Sequence, residues 1–297
     1  MAKIKRRKIV GFEVEATAGT AETIVAADAT LPIFNVSYED LTPVIDREAS
    51  SALSMIPGVV GAQFGRISFE TDMRGDGSGG IPTNMDDLFE ACGMSIDASS
   101  QVASPETGSA ETLTIAYQVD GLQGQLFGCM GNWGIRVRSG EAGRFFFEFT
   151  GVYQAWTDTA LLAPTFDTVK PPRFSSTSFS AHSTSLKVSE FEFNMNNEVV
   201  MREDPNTAAG YCGAFITNRN PTITIDPEAS AVATFDSFGK KMASTEGVVS
   251  WTCGSANNQV AFSAPKAQIK QVDDADRNGL YTHPLTFGCN RSAAAGD

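Results

Sequence analysis

Two short stretches, Val44-Ile45-Asp46-Arg47-Glu48 and Val199-Val200-Met201-Arg202-Glu203, share one pattern and indicate that a set of elements occurs twice in this chain. Each is followed, about twenty residues later, by a second matching pair of strand-like segments at 66–72 and 221–226. An internal repeat of this length is the mark of a building block whose copies pack against one another. The sequence therefore predicts two copies of one domain and, as the first hypothesis for function, a structural role.

The order of elements after these stretches is also repeated. A short helical segment comes next, predicted over 85–94 and 234–243, and a long hairpin then ends on glycine at 147–151 and 284–288. Met85 to Gly93 has the features of a helix, because acidic residues follow a capping Thr or Asn and glycine ends it.

Strand patterns dominate the rest of the chain. Apolar and polar residues alternate over 112–119, 133–138 and 187–193, as expected for strands with one buried face. The segment Arg277-Asn278-Gly279-Leu280 predicts a type I′ hairpin turn. We therefore expect a mainly β fold with two tandem antiparallel β-sandwich or barrel domains, each with one short flanking α-helix.

The length of 297 residues is more than one hydrophobic core usually fills, which also favours two domains. We expect a basic arm at 1–30, a first β domain at 31–155 and a second at 184–290. A Pro-, Ser- and Thr-rich connector at 156–183 would join them, and 291–297 would form a flexible C-terminus. No apolar run is long enough to predict a membrane span, and the basic N-terminus lacks the apolar segment of a secretion signal.

Charge is distributed unevenly. The formal net charge is −13, but five of the 22 cations lie in the first eight residues, which leaves 17 cations against 35 acids, or −18, in the remainder. Such a body repels nucleic acid, since binding to it depends largely on cations that neutralise phosphates. The five scattered cysteines form no CxxC motif and favour reduced thiols, most of them in the core.

Candidate sites for chemistry are few. The segment 75–80 fits GxGxxG, but Asp72 and Asp76 would oppose a pyrophosphate and the second copy lacks the motif, so a surface loop is favoured. The segment 274–279 copies the first half of a calcium loop, but Leu285 stands where a bidentate Glu is needed.

The chain contains only two histidines, His182 and His283, and no GxSxG motif. We therefore expect no enzyme activity, no cofactor and no metal site.

Several segments follow one another along the chain in a characteristic order: 11–15 with Gly19-Thr20-Ala21, 44–48, 65–70, 85–93, 133–153 and 264–268. In this order they resemble the tail tube (major tail) proteins of long-tailed bacteriophages, particularly those with two tandem tube domains. The resemblance implies sandwich domains whose sheets join into an inner barrel, in stacked rings with six domains around the axis. A duplicated chain would then form trimeric rings with pseudo-sixfold symmetry, with a hexamer as the alternative.

The resemblance also implies partners and a location. These are other copies of the chain, a tape-measure protein and tail-end proteins, with double-stranded DNA passing without specific binding. No membrane is involved, and the protein would assemble in the host bacterial cytoplasm and reside in the virion tail.

An acidic lumen would keep passing DNA away from its wall. The acidic residues of the repeat, Asp46, Glu48 and Glu203, are candidates for this lumen, although ordinary surface charge accounts for each of them equally well. For contacts between rings we expect Lys5, Arg6, Arg7 and Lys8 of the arm, together with Asp76 in the glycine-rich loop.

Other functions are compatible with parts of this pattern. A head–tail connector or decoration protein would form single rings or bind capsids without polymerising. A carbohydrate-binding or adhesin-like β-sandwich would be monomeric, and a nucleotide-binding enzyme would use 75–80.

Overall fold

A computed structural model describes residues 3–48, 51, 53–108 and 110–292. The first half contains a 3₁₀ turn (Ala26–Ala29), helix α1 (Met85–Glu90) and strands β1 (Lys8–Val14), β2 (Ile33–Asp40), β3 (Val44–Glu48), β4 (Met55–Val60), β5 (Phe64–Asp72), β6 (Met94–Asp97), β7 (Val102–Pro105), β8 (Leu113–Val119), β9 (Leu122–Arg138) and β10 (Arg144–Asp158).

The second half contains helix α2 (Ser237–Met242) and strands β11 (Ser180–Ala181), β12 (Val188–Asn194), β13 (Asn197–Glu203), β14 (Tyr211–Arg219), β15 (Thr222–Pro227), β16 (Glu246–Ser255), β17 (Asn258–Val272), β18 (Ala275–Arg277), β19 (Leu280–Thr282) and β20 (Leu285–Cys289).

Twelve of these strands form one antiparallel sheet. In the first half the order is β1-β8-β9-β10-β5-β2, and in the second half it is β11-β16-β17-β20-β15-β12. These two orders correspond strand by strand, and the halves meet where β12 pairs with β9. The prediction of a mainly β, antiparallel fold with short helices is thereby confirmed. Because the sheet continues across the connector, the division into two domains stays a prediction.

Aromatic side chains fill the core, because successive side chains along each strand point to opposite faces of the sheet and many of those on the core face are aromatic. In the first half Phe89 of α1 packs at 4.9 Å from the ring of Trp133 and 5.4 Å from that of Phe145. Phe193 of β12 lies 5.0 Å from Trp133 on one side and 5.0 Å from Phe262 on the other. The apolar core therefore runs from one half into the other.

The connector and the N-terminal segment are both held against the sheet. Residues 8–14, within the expected arm, form β1 and pair with β8, and β10 continues to Asp158, beyond the expected start of the connector. The connector is tied to the first half by the buried Arg74, whose Nη1 donates to Asp167 at 2.6 Å.

Local expectations from the sequence hold at several points. Both helices form within their predicted ranges but are only six residues long. The type I′ turn is confirmed, since Asn278 and Gly279 have φ values of 56° and 84° between β18 and β19. Neither α-helix in the described part of the chain has the length and apolarity that crossing a membrane requires.

Candidate assembly interface

Strand β9 is long enough to pair with two different strands along one edge. Its N-terminal part pairs with β8, and its C-terminal part pairs with β12 of the second half. In this second pairing Glu190 lies opposite Arg138, Glu192 opposite Arg136 and Asn194 opposite Gly134. The backbone ladder thus makes a strand-to-strand junction between the two halves.

The two faces of this junction differ in chemistry. On one face Phe191, Phe193, Ile135 and Val137 are all buried in the core. On the other face Arg136 Nη2 lies 2.8 Å from Glu192 Oε1, and the Arg138–Glu190 pair is separated by 3.3 Å. These exposed ion pairs each contribute about 1 kcal/mol or less, so burial and the ladder hold the junction together while the charges select its register.

Charged residues continue across the same face of the sheet, opposite the core. Strand register places on this face the ion pairs Arg66–Glu148 at 3.7 Å, Arg144–Glu70 at 3.1 Å and Arg277–Asp226 at 2.6 Å. We call this surface the charged face. It displays both signs of charge in paired form.

A second contact between the halves comes from the hairpin β13–β14, residues 197–219, here called the second hairpin. The Asn197 side-chain amide donates to the backbone oxygens of Cys92 at 2.7 Å and Gly131 at 2.9 Å. Near the other end of the hairpin, Gln63 N donates to the Ala209 oxygen at 2.8 Å. The second hairpin therefore lies along the end of α1 and the middle of β9, residues 91–93 and 128–132, which form the first docking surface.

Glycines allow the backbones to approach closely at this surface. A Cβ on Gly128 would lie 2.7 Å from the Cα of Gly213, and Gly128 has a φ of 58° that favours glycine. The buried Glu15 holds the local backbone, because it accepts from Gly128 N and Gly19 N, each at 2.6 Å. Thr112 and Thr114 hydroxyls also donate to it, so this buried carboxylate has several donors.

The counterpart of the second hairpin in the first half consists of β3 and β4, residues 44–48 and 55–60, here called the first hairpin. Both of its strands are exposed throughout. Val44 is 64% and Val60 58% exposed, whereas Val199 and Ile216, which occupy the same positions in the second hairpin, are partly buried. Two hairpins of similar pattern thus differ completely in their surroundings.

The acidic candidates for the lumen lie on these two hairpins. Asp46 and Glu48 belong to β3, and Glu203 ends β13; all three are exposed. The structure therefore does not place them on the strands that carry the charged face.

The basic residues proposed for ring contacts are divided between different environments. Lys5 and Arg6 are exposed, Arg7 pairs with Asp120 at 2.6 Å, and Lys8 begins β1. The Arg7–Asp120 pair fastens this end of the chain to the turn between β8 and β9.

Asp76 organises its own loop. Its carboxylate accepts from the Ser78 hydroxyl and from the backbone nitrogens of Ser78, Gly79 and Gly80 at 2.7–2.8 Å. These donors, that hydroxyl first, lower its pKa to about 2. The neighbouring Gly75 N donates to Asn258 Oδ1 at 2.9 Å, so the glycine-rich loop contacts the second half.

The sequence predicts strands at 133–138 and 187–193 but not that they pair with each other. The opposite charges of Arg136 and Arg138 on one strand and Glu190 and Glu192 on the other are the signal in the sequence that favours this pairing. Nothing in the sequence marked Gly128 or Asn197 as contact residues.

A continuous antiparallel sheet, joined between repeated halves by strand pairing and a docked hairpin, defines a protein of the mainly β class. Within the described ranges, no group of three or more His, Cys, Asp or Glu side chains is placed to hold a metal ion.

A family model described as phage tail tube protein matches residues 6–288. The chain therefore belongs to the phage tail tube protein family, which is a family of virion tail structural subunits and not of enzymes. Membership implies self-assembly into a tube. A search of curated proteins gave no match.

Proposed function

We propose that this chain forms closed rings of three copies, which stack into a tail tube whose lumen conducts DNA during ejection. The observation that carries the proposal is the β9–β12 junction, because the chain contains within itself one example of the contact that a ring would repeat.

The same junction can be repeated between chains. Strand β2 corresponds to β12 and ends the sheet, with β5 on one side. The counterpart of the C-terminal part of β9 is β18. In the first half Arg136 lies opposite Arg144, which lies opposite Asp72. In the second half Ala275 lies in the same way opposite Thr282, which bridges to Glu228. Pairing β2 of one chain with β18 of the next would place Ser37 opposite Ala275, as Glu192 lies opposite Arg136.

This pairing is head-to-tail, and head-to-tail contacts give rings when the rotation closes. Closure would also cover the open edge of β2, which otherwise presents unpaired backbone groups. Six repeated halves around the axis, the number that the family resemblance implies, correspond to three chains.

We assign the charged face to the lumen, because the helices and the core occupy the opposite side of the sheet. Its arginines are paired with carboxylates, so few free cations would hold DNA phosphates. Glu203 is proposed as a further acid of the lumen, whereas Asp46 and Glu48, the other two candidates from the sequence, lie on the first hairpin, which is assigned below to a contact between chains. DNA would then pass without specific binding.

For stacking, we retain the basic arm and Asp76 as contacts between rings, with an acidic surface of the next ring as the site for the arm. The sharpest variant is Lys5→Ser with Arg6→Ser, because Arg7 and Lys8 have structural roles in the monomer. It should shorten the tubes, more strongly at low than at physiological salt, because salt screens the contact that the variant removes, and it should leave the fold intact. Tubes of normal length would contradict this assignment.

The tape-measure and tail-end proteins are proposed as the partners at the ends of the tube. Assembly in the host cytoplasm is proposed with them.

The test of the ring is negative-stain electron microscopy of the purified chain over a range of concentration and salt. Hollow rods with a regular axial repeat and threefold class averages are expected. Single rings that never stack would instead favour a connector or decoration protein. Monomers at every concentration would count against a tube subunit and favour a binding module.

A further inference from the structure

Both strands of the first hairpin are exposed, and so is the end of α2, whose counterpart, the end of α1, is covered by the second hairpin. From this we infer that the first hairpin docks on the second half of a neighbouring copy of this chain. The inference rests on the proposed ring and identifies the element of each subunit that holds its neighbour.

The surface that would receive the first hairpin is identified by comparing strand register in the two halves. In the first half Gly131 lies opposite Phe149, which lies opposite Ile67. In the second half Ile269 lies in the same way opposite Phe287, which lies opposite Ile223, so Ile269 has the position of Gly131. The counterpart of the first docking surface is therefore the end of α2 with the middle of β17. We call these residues, 243–245 and 266–270, the second docking surface.

The exposure of the two surfaces shows which one is occupied. At the first docking surface Ala91 and Cys92 are fully buried, and Cys92 accepts a hydrogen bond from Asn197 of the second hairpin. At the second docking surface Ala243 and Ser244 are exposed, and the adjacent Met242 is 84% exposed. The apolar end of α2 thus has the same place in the fold as the end of α1, without a hairpin over it.

The hydroxyl of Thr42, just before the first hairpin, supports the same contact. Thr42 precedes Val44 by two residues, as Asn197 precedes Val199, so Thr42 has the position of Asn197. Within the described residues its hydroxyl oxygen is buried and has no hydrogen-bond partner. Docking would bring it to backbone oxygens of the neighbour, where it can donate as Asn197 does, and so remove the cost of an unpaired buried group.

Charge also favours this occupant. The first hairpin carries the exposed acids Asp46 and Glu48 beside a single arginine, Arg47. The second docking surface carries Lys266 and Lys270, with Lys240 and Lys241 in the last turn of α2. Opposite net charges on the two surfaces guide the approach and make docking sensitive to salt.

The side of the hairpin that docks is fixed by the second hairpin. Val199 lies opposite Ile216 and both are partly buried, while the next pair, Val200 and Phe215, is 39% and 49% exposed. The matching pairs in the first hairpin are Val44 with Val60, and Ile45 with Val59. Val44 and Val60 therefore face the neighbour, and Ile45 and Val59 face away from it.

The experiment is photo-crosslinking in assembled rods with benzoylphenylalanine at position 60, followed by peptide mapping. We expect a product between chains that joins the first hairpin to 238–248 or 264–272. The matched control places the same probe at position 216, where the structure requires a product within one chain to the region of Gly93.

A second measurement compares two double variants of the same hairpin. Val44→Ser with Val60→Ser should abolish rods and the interchain product and leave the monomer folded, while Ile45→Ser with Val59→Ser should retain both. Equal behaviour of the two variants would contradict the assigned side.

Rods that lack the interchain product, or that give a product elsewhere, would overturn the docking and leave the tube function standing. Absence of rods from the unmodified chain would count against the tube function and against the docking together.

Discussion

The two hairpins of this chain share a sequence pattern and a place in the repeat, yet the second is packed and the first is exposed. The difference lies beneath them. The second hairpin lies on the end of α1 and the middle of β9, whereas both strands of the first hairpin are exposed. The comparison teaches that exposure can mark a contact completed by another copy.

The largest expected effect comes from removing the close glycine contact under the second hairpin. Gly128→Ala should destabilise the fold by about 3 kcal/mol, because it combines a left-handed backbone with a clash against Gly213. Gly140→Ala is the matched control, since Gly140 also has a positive φ but a Cβ there meets nothing within 4 Å; it should cost about 1 kcal/mol. Equal losses in urea unfolding would show that the glycine contact does not hold the hairpin.

The next comparison is between the polar groups at equivalent positions. Asn197→Ala should cost about 2 kcal/mol in the monomer, because it leaves two carbonyl oxygens without their donor. Thr42→Val should be neutral or slightly stabilising in the monomer, because its hydroxyl has no partner among the described residues. Thermal unfolding of both variants measures this, and a clear loss for Thr42→Val would remove the contrast.

Apolar residues at equivalent positions offer a third comparison. Ile216→Ser should destabilise the monomer by about 1.5 kcal/mol, as expected for a partly buried side chain, while Val60→Ser should stay within about 0.5 kcal/mol of the unmodified protein. Denaturant midpoints measured below the concentration at which rods form check this. A cost for Val60→Ser as large as for Ile216→Ser would mean that the first hairpin is packed in the monomer.

Two acids, Asp87 of α1 and Asp76 of the glycine-rich loop, are expected to affect stability with opposite dependence on pH. Burial, followed by the nearby Asp86 and Glu13, raises the pKa of Asp87 to about 7. The folded chain therefore binds this proton more tightly, and the resulting stabilisation is lost as pH rises from about 4 through 7. Asp87→Asn should stabilise the protein by roughly 1 kcal/mol at pH 8, after allowance for solvent screening, and have no such effect near pH 4.

Asp76→Asn provides the control of opposite sign. Its lowered pKa means that the ionised carboxylate stabilises the fold at neutral pH, and this contribution falls as pH approaches 2. Unfolding curves across pH should therefore diverge for the two variants in opposite directions. A gain at pH 8 from both would contradict the pKa assignments.

The smallest effect is expected at the junction between the halves. Arg136→Glu should cost about 0.5 kcal/mol, and adding Glu192→Arg should restore most of it. A double-mutant cycle at low and high salt measures this coupling, which should weaken as salt rises. No coupling at low salt would show that the charges do not set the register.

Much of the fold follows from local pattern. Alternation identifies strands such as β8 and β12, and Asn278-Gly279 fixes its turn through backbone conformation alone. The β9–β12 pairing could not be derived in the same way, because any strand with one apolar face can pair with many others. Its opposite charges become informative only once the two strands are known to be neighbours.

The candidate interface was less predictable still. Gly128 contacts Gly213 across a long sequence separation, and the close approach of two backbones leaves no periodic signal. The basic N-terminal segment was expected as an arm, yet Lys8 continues into a paired strand. Pairing with β8 there depends on tertiary contacts that the charge pattern does not report.

The covalent link across the β9–β12 junction has a kinetic consequence for a closed ring. Within one chain the two halves are always at high effective concentration, so every second contact of the ring forms without a collision. Nucleation would then need three molecules to meet instead of six, and its rate would depend on a lower power of protein concentration. A fused subunit can therefore begin a ring from a more dilute pool, while separate single-domain subunits would still be dispersed.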